Sequence, residues 1–163
     1  MEKQEFEKQN LLMTSVEAGD LEGVKKMLQE GMDINLLDSS EDTLLMRASK
    51  NGDEKMASLL LQAGSDVNFQ NKQGQTALMR AVQFEKIEMI KYLILKGARL
   101  DLKDNNGQTA LNMAIESSNK GIFDLLIDID LIKKGLATGP IEGLKISSQK
   151  VEEKDSYGRD YTF

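Results

Sequence analysis

The chain has no cysteine, no histidine and no tryptophan in 163 residues, a single proline, and only 5% aromatic residues. Without cysteine there are no disulfides and no thiolate nucleophiles. Without histidine there is no imidazole base, and with both absent the usual nitrogen and sulfur ligands of zinc and most transition metals are missing. Carboxylate, lysine and serine chemistry remains open. Basic residues are outnumbered by acidic ones, 21 to 27, and the net charge of −6 opposes docking on a phosphate backbone unless basic side chains cluster, which they do not. The shortage of aromatics leaves no platform for stacking successive bases. No nucleic-acid partner is expected. Apolar runs fall far short of the roughly 20 residues that a spanning helix needs, and the opening MEKQEFEKQN carries no apolar signal region. No membrane insertion is expected, and the localisation that follows is cytoplasmic, or secreted by a signal not readable in these residues. A hydrophobic fraction of 40% supplies one folded core.

What the chain does have is a period of 33 residues. Gly31, Gly64 and Gly97 are spaced by it, as are Thr43, Thr76 and Thr109, then Leu45, Leu78 and Leu111, then Ala48, Ala81 and Ala114. A fourth copy joins through Leu12 and Ser15, and Leu28, Leu61, Ile94 and Ile127 form a row near the end of each unit. A fixed period of this length signals a stack of supersecondary units that bury their apolar faces against their neighbours. Within a unit the Leu and Ala columns read as a short first helix. Stretches such as Ile87-Glu88-Met89-Ile90-Lys91-Tyr92-Leu93-Ile94 read as a second, with apolar positions on one side. A Gly ends the second helix, because a left-handed position costs it no side-chain clash. Asp66-Val67-Asn68-Phe69 and Leu100-Asp101-Leu102 read as extended, and Gly74 and Gly107 suit the turn of a hairpin.

NKQGQTALMRA (71–81) and DNNGQTALNMA (104–114) resemble the DxxGxTPLHxA signature of the ankyrin repeat, and GSDVN (64–68) resembles its GADVN. The resemblance covers roughly residues 6–128 and implies an all-α repeat solenoid of about four helix-helix-hairpin units. The family's Pro is replaced by Leu44, Ala77 and Ala110, and its His by Met46, Met79 and Asn112. The lost His removes a hydrogen bond at the helix start. Methionine is expected to fill the space by packing, while Thr43, Thr76 and Thr109 still cap the first helices. The TALM pattern looks more like bacterial members of the family than animal ones.

The register divides the chain into an N-terminal capping repeat at 1–37, repeats at 38–70 and 71–103, a C-terminal repeat at 104–128, and an extension at 129–163. The fourth unit loses register after Leu126, since Asp130 stands where a Gly is due, and Gly135, Gly139, Pro140 and Gly143 give the following stretch a loop composition that interrupts its second helix. Val151-Glu152-Glu153-Lys154-Asp155-Ser156-Tyr157-Gly158 can be laid over residues 100–107 at an offset of 51, so the extension is expected to end in a final hairpin. Tyr157, Tyr161 and Phe163 concentrate aromatics there.

A stack of this kind has no internal cleft, and the resemblance places binding on the hairpin tips and the concave face of the first helices. In this sequence those positions are Ser39, Ser40, Asp42, Lys50 and Asn51; Lys72, Gln73, Gln75, Gln83 and Phe84; and Asn105, Asn106, Gln108, Glu116 and Ser117. Phe84 is the natural anchor for a partner, and Phe69 is expected to extend its patch. Arg47 and Arg80 share one column, with Lys50 a turn from Arg47, and are read as a solvated or internally paired ladder before a docking site for an acidic segment. Asp38, Glu41, Asp42 and Asp104 make the tips acidic and read as solvated. The methionines at helical spacing read as core.

The function expected is therefore that of a protein-protein interaction module, as a stoichiometric inhibitor, an immunity-type protein, an adaptor or an effector, with another protein as partner and no cofactor, metal or catalytic residue. A purely structural or designed repeat scaffold is the alternative. An enzyme would need paired carboxylates in a cleft, and Asp124, Asp128 and Asp130 beside one helix end do not make one.

Overall fold

The computed structural model describes residues 2–117 and 119–135, with side-chain surroundings given from residue 7 onward. Eight helices follow one another in pairs: α1 (Glu2–Glu17) with α2 (Leu21–Gln29), α3 (Leu44–Asn51) with α4 (Glu54–Gln62), α5 (Ala77–Gln83) with α6 (Ile87–Leu95), and α7 (Ala110–Glu116) with α8 (Lys120–Lys133). Each first helix packs on the next, α1 on α3, α3 on α5 and α5 on α7, so the first helices form one row and the second helices another.

The start of each repeat is set by the threonine column. Thr43, Thr76 and Thr109 have extended backbones, and their hydroxyls accept the N–H groups of Met46, Met79 and Asn112, each at 3.2 Å. That satisfies one of the donors a helix N-terminus leaves over. The ends of the second helices are set by Gly31, Gly64 and Gly97, all with positive φ, whose N–H groups bond back to Leu28, Leu61 and Ile94.

Between them the apolar columns close a continuous core. Leu45, Leu78, Ala48, Ala81, Met56, Met89, Leu60 and Leu93 are buried, as are Met46 and Met79 at the positions where histidine is usual in the family. Complete burial of a Leu, Ile or Met side chain stabilises by about 1.5–3 kcal/mol. The exchange of His for Met converts a polar tie into apolar packing. Asn112, in the last described repeat, is exposed and instead completes a capping box, its Oδ1 accepting from the N–H and hydroxyl of Thr109.

Two expectations change. The segments between repeats are not paired strands: among the described residues the sheet pairing is one isolated antiparallel bridge, Leu37 with Thr43. The fourth repeat does not stop at 128 either. α8 runs 14 residues against nine for α6, carrying apolar Leu125, Ile129 and Ile132 along its inner side, and is stopped two residues past Lys133 by Gly135, where φ is +70° and the N–H bonds to Ile132. The stop signal has moved five residues, from 130 to 135. The expected final hairpin falls at 151–158, outside the described residues.

Candidate protein interface

The tips that precede the first helices are built around one column of side chains, Asp38, Asn71 and Asp104. Each Oδ1 accepts two backbone N–H groups at 2.7–3.0 Å, those of Ser40 and Asp42, of Gln73 and Gln75, and of Asn106 and Gln108. The carbonyls of Asp42, Gln75 and Gln108 in turn accept the N–H groups of Asp38, Asn71 and Asp104. The turn is thus closed by a side chain acting as a backbone surrogate. This column has a local structural role that the reading of acidic tips as solvated charge missed.

Asp42 is the clearest correction. Expected at an exposed tip, it is 6% exposed. Its Oδ1 accepts from Asn71 Nδ2 at 2.6 Å and from Arg80 Nη2 at 2.8 Å, both in the next repeat. Asp38 is likewise turned inward, accepting from Arg47 Nε at 2.8 Å and pairing with Nη2 at 2.7 Å, while Arg47 Nη1 reaches Glu17 of the first repeat. Burial lowers the Arg47 pKa, the direction expected when a cation is desolvated. The arginine column is therefore an internally paired ladder that ties repeats together.

Phe69 is the second correction. It is half-buried and packs against the core, in a column with Leu36 and Leu102 that does the same, so it belongs to the edge of the core and not to an exposed patch. Gln75, Gln108 and Ser117 are also half-buried, and Ser117 Oγ donates to the Ala114 carbonyl.

The remaining positions stand outward. Ser39, Ser40, Lys72, Gln73, Asn105 and Asn106 are exposed on the tips, and Lys50, Asn51, Gln83, Phe84 and Glu116 at the ends of the first helices. Phe84, 39% exposed, caps α5. Lys50 Nζ of the preceding repeat lies 4.9 Å from the centre of its ring, within the range of a cation-π contact. Gln83 accepts from Arg80 Nη1 at 3.1 Å, and Gln108 Nε2 donates to Glu116 at 2.9 Å, linking a tip to the helix end behind it. Lys72 pairs with Glu41 across repeats. The result is a surface with one aromatic at its middle and amide and charged groups around it, several of which, Lys50, Gln83, Glu116 and Lys72 among them, are held by neighbours.

Among the described residues there is no group of three acidic side chains placed to hold a metal ion, and no helix is long and apolar enough to cross a membrane. The family model for ankyrin repeats matches residues 1–71 and 45–135, in three copies. The chain belongs to the ankyrin-repeat family. A search of the curated proteins finds no match. Ankyrin repeats generally mediate protein-protein interaction and are typically not enzymes, and the match to residue 135 agrees with the long α8.

Proposed function

We propose that this ankyrin protein binds one protein partner across its tips and the ends of its first helices, with Phe84 as the central contact. The observation that carries the reading is the Lys50–Phe84 pair. A large ring is exposed in the middle of the stack, with a cation of the preceding repeat over it, and the polar Gln83, Asn51 and Glu116 are exposed at the ends of the same row of helices. An aromatic anchor with a polar rim is the usual energetic centre of a protein interface. Phe84, Lys50, Gln83 and Glu116 already have partners within the stack, which lessens the freedom they lose on binding.

A stoichiometric inhibitor or immunity-type protein suits this surface better than a scaffold of purely structural purpose. A structural array would gain nothing from an exposed Phe at a position that is Asn51 in the repeat before and Ser117 in the repeat after. Adaptor and effector roles would use the same surface with a second partner elsewhere.

The test is recovery of partners from the source cell on the tagged chain, comparing the parent with Lys50→Ala, Phe84→Ala and with Leu95→Ala, an exposed residue of the second-helix row. A partner recovered by the parent and by Leu95→Ala but lost from the double variant is the expected result. A partner equally retained by the double variant would place recognition elsewhere. The expected loss for an anchor of this kind is about 2 kcal/mol or more in binding.

A further inference from the structure

The face of repeat four that points away from repeat three is the face that every earlier repeat buries against its successor. In the column Ser49, Val82 and Ile115, the first two are 0% exposed and the third is 62% exposed. Leu45 and Leu78 are fully buried, and Leu111 is half-exposed; Ala57 and Ile90 are fully buried, and Phe123 is half-exposed. Ile115 and Phe123 line a shallow depression with Ala114, Ser117 and Lys120. Its shape and chemistry suit what each earlier repeat receives on this face, the tip and first-helix start of a following unit.

We propose that residues 151–163 cover this face of their own chain by supplying the tip of a fifth repeat. Val151 continues the half-buried column Ile34, Val67 and Leu100. Asp155 continues Asp38, Asn71 and Asp104, the side chains that close every described tip by accepting two backbone N–H groups. Gly158 continues Gly74 and Gly107, whose φ values are +74° and +77°. Asp160 stands at the capping column of Thr43, Thr76 and Thr109, and Asp caps helices as well as Thr does. Phe163 stands at the column of Met46 and Met79, both buried against their neighbours. Glu153 departs from the apolar column Leu36, Phe69 and Leu102, which concerns the base of the tip and not its closure. The connection from Gly135 to Val151 spans about 50 Å when extended, at about 3.3 Å per residue, against about 10 Å between packed helices. The insertion is long enough to bring the tip into place.

Because the chain has no cysteine of its own, a pair of introduced thiols reports one distance. Between repeats three and four the Asn105 N–H donates to the Gln73 carbonyl at 2.9 Å; the equivalent pair one junction further on is Asn106 and Ser156. A disulfide closes only when the two Cα atoms approach within about 4.4–6.8 Å. In the full chain, Asn106→Cys with Ser156→Cys is expected to oxidise within one molecule at a rate near that of Gln73→Cys with Asn105→Cys. It should close at least about tenfold faster than Asn106→Cys with Gln149→Cys, whose second thiol lies outside the tip pattern but shares the same tether. Equal rates for the two extension positions, no closure with Ser156→Cys, or a bond that joins two chains each overturn the proposal. The outcome is independent of any partner of the Phe84 surface.

Discussion

Between the second and third repeats the tips are joined through charged side chains, whereas between the third and fourth they are joined through backbone. At the first junction Asp42 bonds to Arg80 and Asn71, and Glu41 to Lys72. At the second, the Asn105 N–H donates to the Gln73 carbonyl and Asn105 Nδ2 to the Lys72 carbonyl. The difference traces to one column, Glu41, Gly74 and Gly107. A Cβ on Gly74 would lie 2.9 Å from the Asn105 nitrogen and the Asp104 Cα, so only glycine lets the third and fourth tips approach this closely. Repeat two carries Glu41 there, in the left-handed region at φ +59°, and its side chain bridges to Lys72 instead. One fold thus makes equivalent junctions by two kinds of interaction, and they should fail differently.

The largest effect is expected from Gly74→Ala, which adds both a left-handed penalty and a clash with backbone that cannot rotate away. It should cost about 3 kcal/mol or more, where Gly64→Ala, at φ +102° with open space around it, should cost only the left-handed term of about 1–2 kcal/mol. Urea unfolding of the two variants checks this, and equal losses would mean that the tips at the second junction are not in contact. Next comes Asp42→Ala. It leaves the largely buried Arg80 without its carboxylate, and removal of one member of such a pair costs about 3 kcal/mol. A double-mutant cycle with Arg80→Ala should return a coupling of about 1.5–3 kcal/mol, the range for hydrogen bonds to charged groups. Because this pair is shielded, added salt should change that coupling little, while the exposed Lys72 should contribute little at any salt concentration.

The helix pairs, the threonine caps and the glycine stops were legible in the sequence because each is a local device repeated at a fixed spacing. Three residues of one type at intervals of 33 state their own role. The arginine ladder was only half legible. Arg47 and Arg80 share a column, but the carboxylate that holds Arg80 comes from a position 38 residues earlier in another repeat, and nothing in the linear order says that Asp42 turns inward. Asp38 and Asp104 look like solvated charge until their backbone partners are known. The length of α8 was legible in principle, since Leu125, Ile129 and Ile132 keep helical spacing beyond the point where the period demanded a Gly, and local periodicity prevailed over the repeat. For the interface, Phe84 stood out because it breaks its column, and Phe69 misled because an aromatic at the base of a tip is indistinguishable in sequence from one that faces out.

The smallest expected effects test whether the charged junction is a substitute for close approach or merely tolerates its absence. Glu41 and Glu85 are the two non-glycine residues with positive φ among the described residues, at +59° and +54°, and each stands in a column where two other repeats carry glycine, Glu41 before Gly74 and Gly107 and Glu85 after Gly19 and Gly52. Replacement by Gly removes a left-handed penalty of about 1–2 kcal/mol and adds the greater chain entropy of Gly, about 0.5–1 kcal/mol, so Glu85→Gly should stabilise by about 0.5–1 kcal/mol. Glu41→Gly has the same backbone gain but loses the Lys72 ion pair, worth about 0–1 kcal/mol at a partly exposed site, whereas Glu85→Gly loses only a long, exposed hydrogen bond from Asn119 Nδ2 at 3.4 Å. It should therefore gain less than Glu85→Gly in the same urea titration. A larger gain for Glu41→Gly would show that the second and third tips close into backbone contact once the side chain is gone. In that case Glu41 is what holds the first junction apart, and the buried Asp42–Arg80 pair is the tie that this separation requires.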